Sequence, residues 1–163
     1  MHNNFFILAK QLGELCIANH VQIALAESCT GGNVSALITD VSGSSKWFNG
    51  GAVVYSNAAK TNILGVDEKL IVHHGAVSEP VAKAMAEGAL LKFKANLAVS
   101  ITGVAGPGGG SAEKPVGMVC FALADKKSVE EKTLYFTSGR GYVRESAASF
   151  ALEWMIKHLS IIM

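Results

Sequence analysis

The chain has 163 residues, half of them hydrophobic and 17% charged, and its 14 basic and 13 acidic side chains leave a formal net charge of +1. This composition excludes disorder as the main state, and the length is typical of one domain with a full core. The charge balance provides no general attraction to nucleic acid or to an anionic membrane, so we expect neither as a partner. Three cysteines are too few for a disulfide framework and favour a reducing cytoplasm.

The first part of the chain predicts a helix, then a strand, a turn and a second helix. Apolar residues recur at helical spacing over residues 4–19, which predicts an amphipathic helix. A short apolar run at 21–26 predicts a buried strand, and 34–38 predicts a helix. The polar, glycine-rich residues 27–32 form the turn between them, and 39–48 predict a loop rich in serine and glycine.

The middle of the chain predicts one strand followed by three helices. Ser56 or Asn57 can cap the first of these helices. Ser78 and Pro80 are typical of a helix start, with serine as N-cap and proline in the first turn. The strand is predicted over 51–55. The first helix is predicted from its cap at 56 or 57 through 60 to 64, and the other two over 67–74 and 78–93.

The last part of the chain predicts a strand at 97–101 that leads into the glycine-rich stretch 102–110. Strands at 116–124 and 131–136 are expected to form a hairpin, and a closing helix runs over 140–159. Strands that alternate with helices and end in a hairpin predict a single three-layer α/β/α domain with a mixed sheet, spanning 1–163.

Ser28 lies between a predicted strand and a predicted helix. Backbone N–H groups from Cys29 to Gly32 would point at a group beside its hydroxyl, where they could bind an anion or an oxyanion. The local pattern is also compatible with a capped turn that has no chemistry. Cys29 is a rival nucleophile, but no histidine lies near it to act as a base, and we interpret it as a small, partly buried side chain.

Tyr55 ends a predicted strand, and Lys60 lies in the short helix that follows. A lysine in a poorly solvated cleft can act as a general base, and serine with lysine is a known arrangement for amide hydrolysis. A nearby tyrosine can donate or relay a proton. The alternative is a surface lysine beside a half-buried tyrosine, because the sequence does not show whether Ser28 and Lys60 meet in space.

Two further features indicate a binding pocket. Residues 103–110 follow a buried strand, the usual place for a ligand in an open α/β sheet, and we expect their N–H groups and the Thr102 hydroxyl to line it. Arg140 and Arg144 flank the start of the last helix. They could form an anion site there, or they could be surface arginines paired with acids such as Glu145. The five histidines lack metal-ligand spacing, so we expect no metal.

Six short motifs follow one another along the chain. They are AESCTGG at 26–32, GSS at 43–45, YSN at 55–57 with Lys60, GAVS at 75–78, ITG at 101–103 with AGP at 105–107, and KPVG at 114–117. Together they resemble the CinA C-terminal domain family over nearly the whole chain. The chain is similar to the free-standing members, because nothing precedes the first helix where the larger proteins carry a molybdopterin-binding-like domain.

The resemblance implies a cofactor-free amidase that converts nicotinamide mononucleotide to nicotinate mononucleotide and ammonia in pyridine nucleotide salvage. Ser28 would be the nucleophile and Lys60 the base, with Tyr55 assisting. The helix N-terminus after Ser28, with Thr30 and Gly31, would form the oxyanion hole. Family members are often dimers, which implies a homodimer or a higher homo-oligomer. The other implied substrate-binding residues are Asn57, Thr102, Gly103, Arg140 and Arg144.

The chain departs from the family ahead of the last helix. The family commonly has Gly-Asp-Arg there, whereas residues 137–140 read Thr-Ser-Gly-Arg, so Gly139 stands in place of the aspartate. The resemblance therefore leaves open which groups would hold the phosphate. The alternative function is a non-catalytic module that binds a nucleotide or a protein and is linked to competence or DNA damage.

Overall fold

Residues 2–162, which a computed structural model of the protein describes, form five β-strands and six α-helices. The strands are β1 (Ile23–Glu27), β2 (Phe48–Val53), β3 (Leu97–Gly103), β4 (Met118–Asp125) and β5 (Val129–Tyr135). The helices are α1 (His2–Asn19), α2 (Asn33–Thr39), α3 (Asn57–Leu64), α4 (Glu68–His74), α5 (Glu79–Lys92) and α6 (Arg140–Ile161). A short 3-10 helix, Ser44–Lys46, precedes β2.

The strands form one mixed sheet in the spatial order β2-β1-β3-β4-β5. The strands β2, β1 and β3 are parallel, whereas β4 pairs antiparallel with β3 and with β5. The predicted mixed sheet and the predicted hairpin are confirmed.

Helices cover both faces of the sheet and give the three predicted layers. On one face, residues of α1, α2 and α6 such as Leu12, Val34 and Leu152 pack against Leu25 and other large apolar residues of the sheet. On the other face, α5 packs against small residues of the sheet, among them Ala24, Ala26 and Ala98. Every residue of β1 is buried. Residues 23–26 are all apolar because a strand that is covered on both faces buries the side chains of both faces, and only Glu27 at its end is charged.

Local sequence signals place the helix starts. The Ser56 side chain accepts a hydrogen bond from the N–H of Ala59, so Ser56 rather than Asn57 is the N-cap of α3. Ser78 caps α5 in the same way, with Pro80 in the first turn as predicted. No helix among residues 2–162 combines the length and the apolarity needed to span a membrane.

The predicted bounds of β2 and of the loop before it are wrong. The strand begins at Phe48 and ends at Val53, so it starts inside the predicted loop and leaves Tyr55 beyond its end. The strand was predicted too late because Asn49, Gly50 and Gly51 are typical of a turn. Glycine is needed in this strand because other side chains lie close to it: a Cβ on Gly50 would lie 3.0 Å from the Phe93 ring, and one on Gly51 would lie 2.8 Å from Ser35 Oγ.

Candidate active site

The three parallel strands end together at one edge of the sheet. The N–H of Ser28, the first residue after β1, donates to the carbonyl of Ile101 at 2.9 Å, and the N–H of Val54 donates to the carbonyl of Glu27 at 2.8 Å. β2 lies on one side of β1 and β3 lies on the other. The connection from β1 to β2 and the connection from β2 to β3 therefore run in opposite directions across the sheet, and the strand order reverses at β1. Ligands of open α/β sheets bind in the crevice that forms beyond such a point.

Lys60 projects from α3 into this crevice and meets Ser28. Its Nζ lies 3.1 Å from Ser28 Oγ, and it donates to the carbonyl of Val54 at 3.0 Å and to that of Tyr55 at 3.2 Å. The lysine is 1% exposed and Ser28 is 7% exposed. The sequence left open whether these two side chains meet, and the fold brings them into contact across 32 positions of the chain.

The amine of Lys60 is held without a counter-ion. No carboxylate oxygen within residues 2–162 lies within 4.0 Å of it. Burial lowers the pKa of Lys60 below its ordinary value of 10.5, and the interaction with Cys29 opposes this in part. A lysine whose pKa is lowered in this way is available as a proton acceptor nearer neutral pH.

Glu27 fixes the turn that carries Ser28. Its carboxylate is 1% exposed. It accepts hydrogen bonds from the N–H of Val34 at 2.9 Å, from the N–H of Ser35 at 3.0 Å and from the Ser35 hydroxyl at 2.6 Å. These contacts tie the end of β1 to the first turn of α2. The sequence interpretation missed this role, although an acidic residue that ends an apolar run just before a helix is a signal for it.

Arg144, Thr30 and Gly31 support the same turn and do not line the cavity beside Ser28. Arg144 donates through Nε to the carbonyl of Cys29 at 3.1 Å and through its terminal nitrogen to that of Thr30 at 3.2 Å. Thr30 is fully buried, and the N–H of Gly31 donates to the carbonyl of Ser28 at 3.0 Å. The N–H of Gly31 is therefore already engaged within the turn.

A cavity of about 500 Å³ opens beside Ser28, which is within the usual size range of small-molecule sites. The glycine-rich loop after β3 forms one wall, through Val104, Ala105, Gly106, Gly108 and Gly109. The cavity is also lined by Cys29, Ala76 and Val77. The predicted site residues that line the cavity are Ser28, Tyr55, Asn57, Lys60, Thr102, Gly103 and Arg140.

Arg140 and Tyr55 lie together at the mouth of the cavity. The exposed guanidinium of Arg140 donates to the carbonyl of Gly106 at 2.7 Å and to the Tyr55 hydroxyl at 3.4 Å. Tyr55 is 62% exposed, and it contacts Lys60 through its backbone carbonyl. Gly139 precedes Arg140 with φ 99° and ψ 167°, a conformation that a residue with a Cβ rarely adopts. The turn of this chain therefore depends on glycine where the family commonly has aspartate.

Cys29 is buried, and burial raises the pKa of its thiol to about 12. A thiol with so high a pKa is a poor nucleophile at neutral pH, which agrees with its interpretation as a small buried side chain. Within residues 2–162, no group of three or more histidine, cysteine, aspartate or glutamate side chains could hold a metal ion.

Comparison with known proteins places these features in a family. The family model of the CinA C-terminal domain matches residues 6–159. The chain belongs to the CinA C-terminal domain family. It is 48% identical over 147 residues to the nicotinamide-nucleotide amidohydrolase PncC of Escherichia coli K12, an alignment that covers 90% of this chain and 89% of that protein. The predicted family resemblance is confirmed.

Longer relatives and a solved structure complete the comparison. A CinA-like protein of Mycolicibacterium gilvum is 54% identical over 140 residues, which cover 85% of this chain and 33% of that protein. The chain spans between 33% and 38% of the length of such larger relatives. The crystal structure of the competence/damage-inducible protein CihA from Agrobacterium tumefaciens superposes with a TM-score of 0.91 at 40% identity, covering 96% of this chain and 95% of that one. The predicted α/β fold is confirmed.

Proposed function

We propose that this chain hydrolyses the carboxamide of nicotinamide mononucleotide to nicotinate mononucleotide and ammonia, with Ser28 as nucleophile and Lys60 as base. The observation that carries the proposal is the buried contact of 3.1 Å between Lys60 Nζ and Ser28 Oγ, inside a cavity large enough for a mononucleotide. The 48% identity to a protein named nicotinamide-nucleotide amidohydrolase supports the choice of substrate.

The surroundings of Lys60 orient its neutral amine as a base. A neutral amine has two N–H donors and one lone pair. The carbonyls of Val54 and Tyr55 can only accept, so they take the two N–H groups, and the lone pair is left for the Ser28 hydroxyl. In the first step the hydroxyl proton moves to Nζ while Oγ attacks the amide carbon. The resulting ammonium then gives a proton to the leaving nitrogen, and ammonia departs from an acyl-enzyme on Ser28.

Deacylation reverses these roles. Lys60, neutral again, takes a proton from a water molecule as its oxygen attacks the acyl carbon. The ammonium returns that proton to Ser28 Oγ as the acid product leaves. One water is consumed and one ammonia is released for each turnover, so the atoms balance without a cofactor.

Backbone donors of the turn after Ser28 would stabilise the oxyanion. The N–H groups of Cys29 and Thr30 donate none of the backbone hydrogen bonds found in the described part of the chain, whereas that of Gly31 is engaged by the Ser28 carbonyl. Of Cys29 and Thr30, only Cys29 lines the cavity, so the N–H of Cys29 is the donor in our proposal, in place of Thr30 and Gly31. The N–H next to a nucleophile is a common member of an oxyanion hole.

Arg140 is the proposed contact for the substrate phosphate. Its guanidinium contacts two neutral oxygen atoms at the cavity mouth, and no carboxylate in the described chain lies within 4.0 Å of it, so its charge is available to an anion. Asn57 and Gly103 line the space between this end of the cavity and Ser28 in our proposal.

The proposed reaction belongs to pyridine nucleotide salvage, because it changes an amide nucleotide into the acid nucleotide. A cytoplasmic location is part of the same proposal and is supported by the three cysteines, all free and buried. The oligomeric state stays a prediction of the family resemblance.

Ammonia release from nicotinamide mononucleotide tests the proposal. The wild type should release ammonia without added metal, and Ser28→Ala should abolish release while its unfolding transition is unchanged. Ser149→Ala is the matched control, because the Ser149 hydroxyl on α6 contacts Glu153 away from the cavity, and its activity should equal that of the wild type. Stabilisation of the wild type by the nucleotide without ammonia release would instead support the non-catalytic module.

A further inference from the structure

The side chain of Thr102 has a fixed hydrogen-bonding direction. Its Oγ1 lies 2.9 Å from the carbonyl oxygen of Ala76. A carbonyl oxygen cannot donate, so the single hydroxyl proton of Thr102 must lie in this contact. The rest of the hydroxyl oxygen is left with lone pairs, which can only accept a hydrogen bond.

Thr102 lies beside the nucleophile. In the parallel pairing of β1 with β3, Ala26 is opposite Ser100. The alignment persists one residue past the end of β1, because the N–H of Ser28 donates to the carbonyl of Ile101, the residue before Thr102. Side chains two residues apart leave a strand on the same face, and neighbouring strands lie about 4.8 Å apart. The side chains of Ser28 and Thr102 therefore enter the cavity side by side, and both residues line it.

We infer that Thr102 selects the amide over the carboxylate at the reacting carbon, by accepting a hydrogen bond from the carboxamide N–H of the substrate. This inference rests on the proposed function. A primary amide offers two N–H donors, whereas the carboxylate product offers acceptors and a negative charge. The lone pairs of Thr102 therefore attract the substrate and repel the product, which favours release of the acid after each turnover.

The inference separates amide from ester substrates. The methyl ester of nicotinate mononucleotide has the same ring, ribose and phosphate as the amide substrate but no N–H at the reacting carbon. Thr102→Val keeps the shape of the side chain and removes the acceptor, so it should lower kcat/KM for the amide about fivefold to tenfold and leave that for the ester unchanged. Thr102→Ser keeps the hydroxyl and should retain the wild-type ratio of amide to ester activity within about twofold.

Inhibition by nicotinate mononucleotide provides an independent readout. The product should inhibit Thr102→Val more strongly than the wild type, because the repelling lone pairs are gone. Should the valine variant not fold, direct binding to Ser28→Ala gives the same test, and there the amide should bind more tightly than the acid.

Three results would overturn the inference. An equal loss of amide and ester activity in Thr102→Val would show that Thr102 acts on the position of the 75–78 loop through the Ala76 carbonyl. Unchanged activity of Thr102→Val toward both substrates, or equal binding of amide and acid by Ser28→Ala, would show that the hydroxyl does not distinguish the amide. Absence of ammonia release by the wild type would overturn the proposed function and this inference with it, whereas the first two results leave the proposed function intact.

Discussion

Replacement of Lys60 by methionine tests whether the buried amine is the base. Methionine has a similar length and cannot bind a proton, so kcat should fall by about 10²–10⁴-fold, the usual contribution of a general base. The variant should also change how stability depends on pH. Between the lowered pKa of Lys60 in the folded protein and its ordinary value of 10.5, the unfolded chain binds a proton that the folded chain lacks. Wild-type stability should therefore rise with pH in that window, by up to about 1.4 kcal/mol per pH unit, and the contribution should be absent from Lys60→Met.

The assay is urea unfolding of wild type and Lys60→Met at several pH values from neutral to 10, together with kcat for ammonia release. The carbonyls of Val54 and Tyr55 lose their donor in the variant, but that cost is the same at every pH and does not alter the slope. Lys83→Met controls for the loss of one positive charge, because Lys83 lies exposed on α5. If the stability curves of wild type and Lys60→Met stay parallel, Lys60 keeps its proton throughout the window, and the assignment of the base is refuted.

Two further predictions concern stability. Gly88→Ala, in the interior of α5, should destabilise the protein by about 1–3 kcal/mol in urea unfolding instead of stabilising the helix, because the added Cβ would overlap the carbonyl oxygen of Leu64; an increase in stability would contradict this. Burial raises the pKa of Asp125, but the N–H groups of the β4–β5 turn and the charge of His158 at 3.2 Å together lower it below 3.8. The charged form of Asp125 therefore stabilises the folded protein above pH 3.8. This stabilisation is lost as the pH falls through the lower pKa that Asp125 has in the folded protein. Asp125→Asn should therefore lower the free energy of unfolding by no more than about 1 kcal/mol at pH 7. Below about pH 4 the free energy of unfolding should fall less steeply with decreasing pH in this variant than in the wild type. An equally steep fall in both proteins would show that Asp125 does not contribute.

The sequence was sufficient for features that depend on neighbouring residues. The N-cap positions of α3 and α5 and the hairpin of β4 and β5 were predicted because each has a local signal. The start of β2 was predicted wrongly because its glycines have the same local pattern as a turn. What distinguishes them is their pairing with β1 and their close contacts with Phe93 and Ser35, which depend on parts of the chain distant in sequence.

The site was predictable in its residue types and only partly in its arrangement. Ser28 and Lys60 meet because β1 and β2 pair in parallel, which no local pattern reveals. Arg140 and Arg144 are four positions apart on the same face of α6 and were indistinguishable in the sequence. In the fold the first lies at the cavity mouth, and the second donates to the carbonyls of the turn after Ser28. That difference depends on which end of α6 lies nearer the cavity.

Two of the three contacts that hold Lys60 are carbonyls of the main chain, at Val54 and Tyr55. Every amino acid carries that oxygen, so no codon change at either position deletes it. A mutational scan that replaces side chains one at a time would detect the proposed nucleophile and base and would miss the main-chain groups that orient the Lys60 amine. For the same reason, the side chains around the cavity are free to diverge while Lys60 keeps its position beside Ser28.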